Sequence, residues 1–538
     1  MEYLDRRARG PPTRCRRPGG DPRDRDSDLA TSRTPNWPRA PHDPPVSSPP
    51  STYGPDTALR PADGVVRPGD ELELPPFRER SGRAPRARPS LRGRIAAELA
   101  ALRADPARMA ALRDSWRALL ASRALIWVTG FVAVLALGLK VRTSAFDPPG
   151  LTSGFGWLGD RLVAPAARWD SAWYLAIAHQ GYEATRGLVA SSRAAFFPLY
   201  PTLIGAIGWL GVPLVLGGIL ISLGALAVAL YLLHRLATLE YLERARAGGE
   251  SARLAPDAGR LTVLLMAFFP TAFFLSAVYS ESLFLALSIG VFWSARRGRF
   301  VIACALAGFA AATRNAGVVL LVPIGLLYLY GPRTDRPPDR PTARWLWPRY
   351  RLRRDAWALA LAPVGLLVYM GYLVAVGASP LLPFHAEAVW GRHFSFPVHT
   401  VWTGTVAAFD GVRQLLSGQT AHRYFAAGHG NPFITAQHNI VDWLFLVAAV
   451  IALVGVLRTL PIAYGAYVLA TLCMPLSYPV RYEPLMSTPR FVLVLFPLFM
   501  WGGARLAARP RLRAPALVGS AACLLLFVAQ FATWHWVA

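Results

Sequence analysis

The 538-residue sequence predicts an all-α protein that crosses a membrane many times. Three observations carry that expectation. Hydrophobic residues make up 53% of the chain and lie in long uncharged blocks rather than amphipathic stripes. Blocks of about 18 or more such residues read as spanning helices. The formal charge of +25 would suit nucleic acid, yet the basic residues gather in the N-terminal region and in short segments between apolar blocks. That is the positive-inside pattern of a polytopic membrane protein, so nucleic acid is not an expected partner. Finally, no strand–GxGxxG–helix unit is present, which leaves no soluble nucleotide-binding half.

Residues 1–92 are rich in Pro, Arg, Gly, Ser and Asp and poor in aliphatic clusters. They cannot bury enough apolar surface to offset their ordering entropy, so a disordered cytoplasmic tail is expected. Residues 93–121 space Ala and Leu helically among Arg and Asp and read as an amphipathic lead-in, divided at Pro106. The transmembrane domain is expected over 122–538. No signal peptide is read, because the first long apolar block starts near Ala124. Cys15, Cys304, Cys473 and Cys523 form no CxxC and support neither a zinc site nor a disulfide framework.

A first span is expected near 122–139, ending at Lys140 and Arg142. A polar loop over 143–196 follows. The apolar run 197–236, interrupted by Gly208, Gly211 and Pro213, reads either as two short spans or as a membrane-skirting segment before one span. Further spans are expected near 261–278, 281–295, 300–313, 316–331 and 356–376. After a second long loop, 377–440, come spans near 441–457, 460–477, 490–504 and 514–536. The segment 332–355 holds eight arginines and is placed inside. The N-terminus is then cytoplasmic, and about eleven crossings alternate from it.

This topology puts Asp170, Glu281, Arg314, the loop 377–440 and Arg490 on the outer face. Ionisable groups at the edge of a membrane domain are candidate functional residues. Asp170 could cap a helix or pair with Arg168. Its neighbours Trp169, Trp173, Tyr174 and Tyr182 suit both an interfacial belt and the faces of a sugar ring. Glu281 could be a helix-terminus acid facing water. Arg314 interrupts about thirty apolar residues and needs an anionic partner, as does Arg490; both are candidate clamps for a phosphate or structural pairs. The run PFHAEAVWGRHFSFPVH supplies His385, Glu387, Arg392, His393 and His399, whose spacing matches no strong metal motif. Tyr200 and Tyr279 complete the candidate substrate-binding set.

RWDSAWYLAIAHQGY with AFFPLYP, then PTAFFLSAVYSESLF, AAATRNAGVVLL, PLLPFHAEAVWGRHFSFP and STPRFVLVLFPLF resemble, in this order, blocks of the PIG-V mannosyltransferase family, including its bacterial members. The resemblance spans about 120–510. It implies a GT-C type transmembrane bundle that takes mannose from a polyprenyl-phosphate donor. It also implies a catalytic acid in the first outer loop, the position Asp170 matches. Asp170 would act as general base on an acceptor hydroxyl, inverting a β-linked mannosyl phosphate to an α-mannoside. No cofactor is expected; a metal-dependent variant using Glu183, Glu281 and Glu387 is the lesser alternative. The acceptor could be a glycolipid, a glycan or a protein. Arg, Ala and Pro usage suggests a GC-rich bacterial source, for which a GPI acceptor is the wrong expectation. A lipid or sugar transporter is the rival reading, although no internal repeat supports it.

Overall fold

The computed structural model describes residues 104–139, 150–182, 192–248, 255–340, 347–421, 424 and 431–537. The expected disordered tail, the first part of the lead-in and Glu183 lie outside these residues. Among the described residues the regular structure is helical and no β-strand occurs.

Helix α1 runs from Pro106 to Leu137. The Asp105 side chain accepts from the Ala107 and Arg108 amides at 3.0 and 3.1 Å, and Pro106 takes the first helical position, where its missing N–H is not needed. The expected division at Pro106 is present: Ala104 is helical, Asp105 is extended, and a new helix starts at Pro106. From there on the lead-in runs into the first span as one helix.

The ambiguous run 197–236 resolves into a short helix and a long one: α3 and α4, once α2 (Ser171–Gln180) is counted. Helix α3 (Leu199–Gly208) has 10 residues, and a turn at Gly211, with φ of +84°, separates it from α4 (Leu214–Gly248). Ten residues rise about 15 Å, half of the ~30 Å hydrocarbon thickness. That favours the skirting-segment reading.

The remaining chain forms α5 (Ala255–Ala267), α6 (Glu281–Arg296), α7 (Phe300–Ala311), α8 (Leu321–Tyr330), α9 (Val364–Ala375), α10 (Pro397–Ser417), α11 (Pro432–Thr459), α12 (Ile462–Leu476), α13 (Thr488–Leu493), α14 (Phe496–Ala508) and α15 (Pro510–Ala532). Element positions follow the predicted spans closely, and most of these helices are shorter than a full span. Among the described residues four helices are long and apolar enough to cross a membrane: α1, α4, α11 and α15. A fifth results if the 3₁₀ stretch Arg354–Leu361 and α9, bent by 42°, form one span. The other apolar helices are interrupted. Their hydropathy reads as spans because composition does not register where a helix stops.

The expected long loop 377–440 contains the 21-residue helix α10. Gly404, Ala408 and Gly411 are buried on it, while Val398, Trp402, Phe409 and Leu416 are exposed. Its polar residues dilute the hydropathy, which hid it from the sequence.

Small residues let the helices meet. A Cβ on Gly503 of α14 would lie 2.2 Å from Thr262 Oγ1 and 2.8 Å from the Ala258 carbonyl oxygen of α5, so the two backbones touch there. Where α5 ends, Arg123 of α1 reaches in. It donates to the carbonyls of Ala267 (3.0 Å) and Ala272 (2.8 Å) and to Ser276 Oγ (3.0 Å). A cation on exposed helix-end carbonyls satisfies groups that lipid could not.

Candidate active site

The helix interruptions meet in one place. Asp170 directly precedes α2, Glu281 opens α6, Arg314 lies between α7 and the next 3₁₀ turn, and Arg490 sits on the six-residue α13. Irregular backbone deep in a membrane protein is tolerated where protein or a cavity surrounds it. Here the breaks bond to one another. The Val278 amide donates to the Ala166 carbonyl, and the Leu199 amide to the Ala312 carbonyl, each at 2.9 Å.

Four charged side chains form a chain across these breaks. Arg490 Nη1 lies 2.5 Å from Asp170 Oδ2, and Arg490 Nε donates to Glu281 Oε1. The same Glu281 oxygen pairs with Arg314 Nη1 at 2.7 Å. Glu281 is fully buried, whereas the Asp170 and Arg314 side chains keep 17% and 16% of their exposure. Glu281 thus works from behind, holding both arginines, while the two ends of the chain face open space. Its second oxygen, Oε2, is buried without a hydrogen-bond partner.

That space is a cavity of about 190 Å³ lined by Asp170, Arg314, Glu387, Arg392 and Arg490, with aromatic walls that include Phe196 and Trp390. Arg392 donates from Nη1 to the Tyr478 carbonyl at 2.9 Å and stands 3.4 Å from Glu387. Burial pulls its guanidinium below the usual arginine range. Three arginines line the cavity beside Asp170 and Glu387, and with Glu281 behind them the carboxylates balance their charge, so what the cavity offers is guanidinium groups at its wall.

The backbone that presents Asp170 is strapped down. The Tyr279 hydroxyl accepts from the Asp170 amide at 3.2 Å and donates to the Arg168 carbonyl at 3.0 Å. Trp169 has φ of +54°, and Ser487, which begins the turn into α13, has +72°. A non-glycine residue in the left-handed region costs about 1–3 kcal/mol, and such residues persist where the surroundings hold them. Both lie within three residues of a charged group of the site.

Of the residues expected to bind substrate, Arg314, Glu387, Arg392 and Arg490 line the cavity with Asp170. Asp170 makes no side-chain cap to α2 and pairs with Arg490, not Arg168. Arg168 instead lies fully buried with its guanidinium 4.6 Å from the Trp534 ring. Trp169 packs edge-on against Trp534 and Trp536. Trp173 stacks on Phe196, 5.8 Å between centroids, and supports the cavity wall. Tyr279 lies under Arg490, whose guanidinium carbon is 4.7 Å from its ring. Tyr182 donates to the Phe196 carbonyl, and Tyr200 to the Gly218 carbonyl at 3.0 Å. Tyr182 thus holds the cavity-lining Phe196, Tyr200 ties α3 to α4, and neither lines the cavity. His385 is exposed, and neither it, His393 nor His399 lines the cavity. Among the described residues no group of three His, Cys, Asp or Glu is gathered to hold a metal. Sequence reasoning missed Trp390, Tyr478 and Trp536, all of which line the cavity.

The site is therefore a buried charged chain that opens onto an arginine-rich, aromatic cavity within a helical, apolar domain. Residues 119–328 match the family model described as Mannosyltransferase (PIG-V). That match supports the PIG-V mannosyltransferase family and, with it, glycosyltransferase activity. No curated protein and no solved structure matches the chain. The family match contains Asp170, Glu281 and Arg314; Glu387, Arg392 and Arg490 lie beyond it and join the site through the fold.

Proposed function

We propose that the protein transfers mannose from a polyprenyl-phosphate donor to an acceptor hydroxyl on the outer face of the cell membrane, with inversion to an α-mannoside and Asp170 as general base. The observation that carries this reading is the convergence of Asp170 with Arg314, Arg392 and Arg490 on one cavity. A phosphate there is held by guanidinium groups that also stabilise the charge developing as it leaves. The polyprenyl tail runs among apolar helices. The acceptor oxygen attacks the anomeric carbon from the face opposite the phosphate and passes its proton to the Asp170 carboxylate.

The ion pair between Asp170 and Arg490 fits this scheme. A bound phosphate competes for Arg490 Nη1 and frees the carboxylate to take a proton only when donor is present. Glu281, out of reach of the cavity, keeps Arg490 and Arg314 together throughout. The acceptor is a glycolipid, a glycan or a protein, and the donor serves as substrate with no separate cofactor.

The same reading carries a GT-C type bundle of about eleven crossings, with the interrupted helices passing in and out as partial spans. Sidedness follows the charge. Glu281 and Arg296 occupy opposite ends of α6, about 22 Å apart along its axis. The Arg296 end packs against the arginine-rich segment, where the Thr334 amide donates to the Arg296 carbonyl at 2.8 Å. With that end cytoplasmic, the Asp170 cavity is outside.

The test is transfer from polyprenyl-phosphate mannose by purified Asp170→Asn protein. Turnover is expected to fall by about 10²–10⁴-fold, the usual contribution of a general base. Near wild-type turnover in a folded variant overturns the assignment.

A further inference from the structure

The segment after α15 turns back onto the site. Its start is pinned by a helix-ending pattern: the Thr533 amide donates to the Ala529 carbonyl at 3.2 Å and the His535 amide to the Gln530 carbonyl at 2.8 Å. Thr533 Oγ1 also lies 2.9 Å from His535 Nδ1. Trp534 takes the left-handed position of this ending, with φ of +65°, where glycine is usual. A tryptophan held in that conformation signals that its side chain is needed where it points.

Trp534 is buried, with Arg168 over its ring at 4.6 Å and Trp169 edge-on at 5.6 Å. Trp536 touches Trp169 from a second direction, 5.2 Å between centroids at 88°, and lines the same cavity as Asp170 and Arg490. Trp536 is therefore the cavity ring whose aromatic neighbour is joined by one peptide bond to Asp170. An interfacial aromatic belt would explain tryptophans at the end of a span. It does not explain one that is buried under an arginine and another that lines a charged cavity.

We propose that Trp536 is a specificity-determining residue, the aromatic platform on which the donor's mannosyl ring lies, with Trp534 as the positioning residue that sets it beside Trp169. The inference rests on the donor assignment made above. Aromatic faces stack on the C–H-rich face of a hexose, and a ring seated beside Trp169 brings its anomeric carbon toward the Asp170 carboxylate.

The experiment compares binding of polyprenyl-phosphate mannose with binding of the sugar-free polyprenyl phosphate, using the full chain in detergent. Trp536→Ala is expected to weaken the mannosylated lipid about tenfold and leave the sugar-free lipid unchanged, with Trp536→Phe restoring most of the loss. Trp536→Leu keeps apolar bulk without an aromatic face and replaces the alanine variant if that one does not fold. Equal weakening of both lipids, or weakening of neither, overturns the platform. Failure of the wild-type chain to bind either lipid would instead overturn the donor assignment.

Discussion

Two buried arginine clusters sit at opposite ends of α6, built from nearly the same residue types. At one end Arg296, fully buried, donates to Glu240 through Nε, to Glu243 through Nη2 at 2.5 Å and to the Pro332 carbonyl through Nη1 at 2.7 Å. Tyr464 adds a bond to Glu240 at 2.7 Å. Every guanidinium nitrogen has a partner, and the cluster ties α4, α6, α12 and the arginine-rich segment together. At the other end Arg490 bridges Asp170 and Glu281. There one Glu281 oxygen serves two arginines, the other serves none, and the outer members of the chain face a cavity. A buried charge with all its bonding positions filled holds helices together. A chain of ion pairs whose ends, here Asp170 and Arg314, face open space is arranged to meet a ligand.

The comparison can be broken most decisively at its two arginines. Arg490→Met removes the group touching both site carboxylates, and turnover should fall by about 10²–10³-fold, measured with purified protein under saturating donor. Arg296→Met should act on folding instead, because it strands Glu240 in the interior. Stability is expected to drop by about 3–5 kcal/mol in detergent unfolding, with turnover per folded molecule unchanged. A loss of turnover from Arg296→Met without loss of stability would erase the distinction between the clusters.

The smallest effect sharpens the comparison within the site. Glu281→Gln keeps the shape but removes the charge holding Arg314 and Arg490 together, and should raise the donor KM about tenfold while kcat changes less. An equal fall in kcat would move Glu281 from a positioning role to the chemistry.

Much of the fold could be read from local patterns. Asp105 and Pro106 mark a helix start by their chemistry, and Glu281 and Arg314 fall at helix breaks because an ionisable residue ends an apolar run. Length was less legible. The stretch 377–440 reads as loop because His399, Asp410, Arg413 and Gln414 lower the hydropathy of α10, yet that helix lies against α11, where a Cβ on Gly411 would come within 2.9 Å of the Ala436 carbonyl oxygen. In the site, Asp170, Glu281, Arg314 and Arg490 were each visible as a costly charge in an apolar chain. Arg168, which adjacency in sequence offers as a partner for Asp170, has its guanidinium over the Trp534 ring instead.

What the sequence alone determines is therefore the solvent each segment prefers: apolar blocks for lipid, arginine-rich segments for one face, and a few ionisable residues that demand a reason. Those properties are local, since hydropathy and charge belong to a residue wherever it goes. Which charges meet is decided only by tertiary structure. Asp170 and Arg490 stand 320 residues apart and touch because α2, α6 and α13 all begin around one cavity. The bonding position left open on Glu281, and the return of Trp536 to that cavity, exist only once the helices have packed, because both depend on what fails to reach a group as much as on what does.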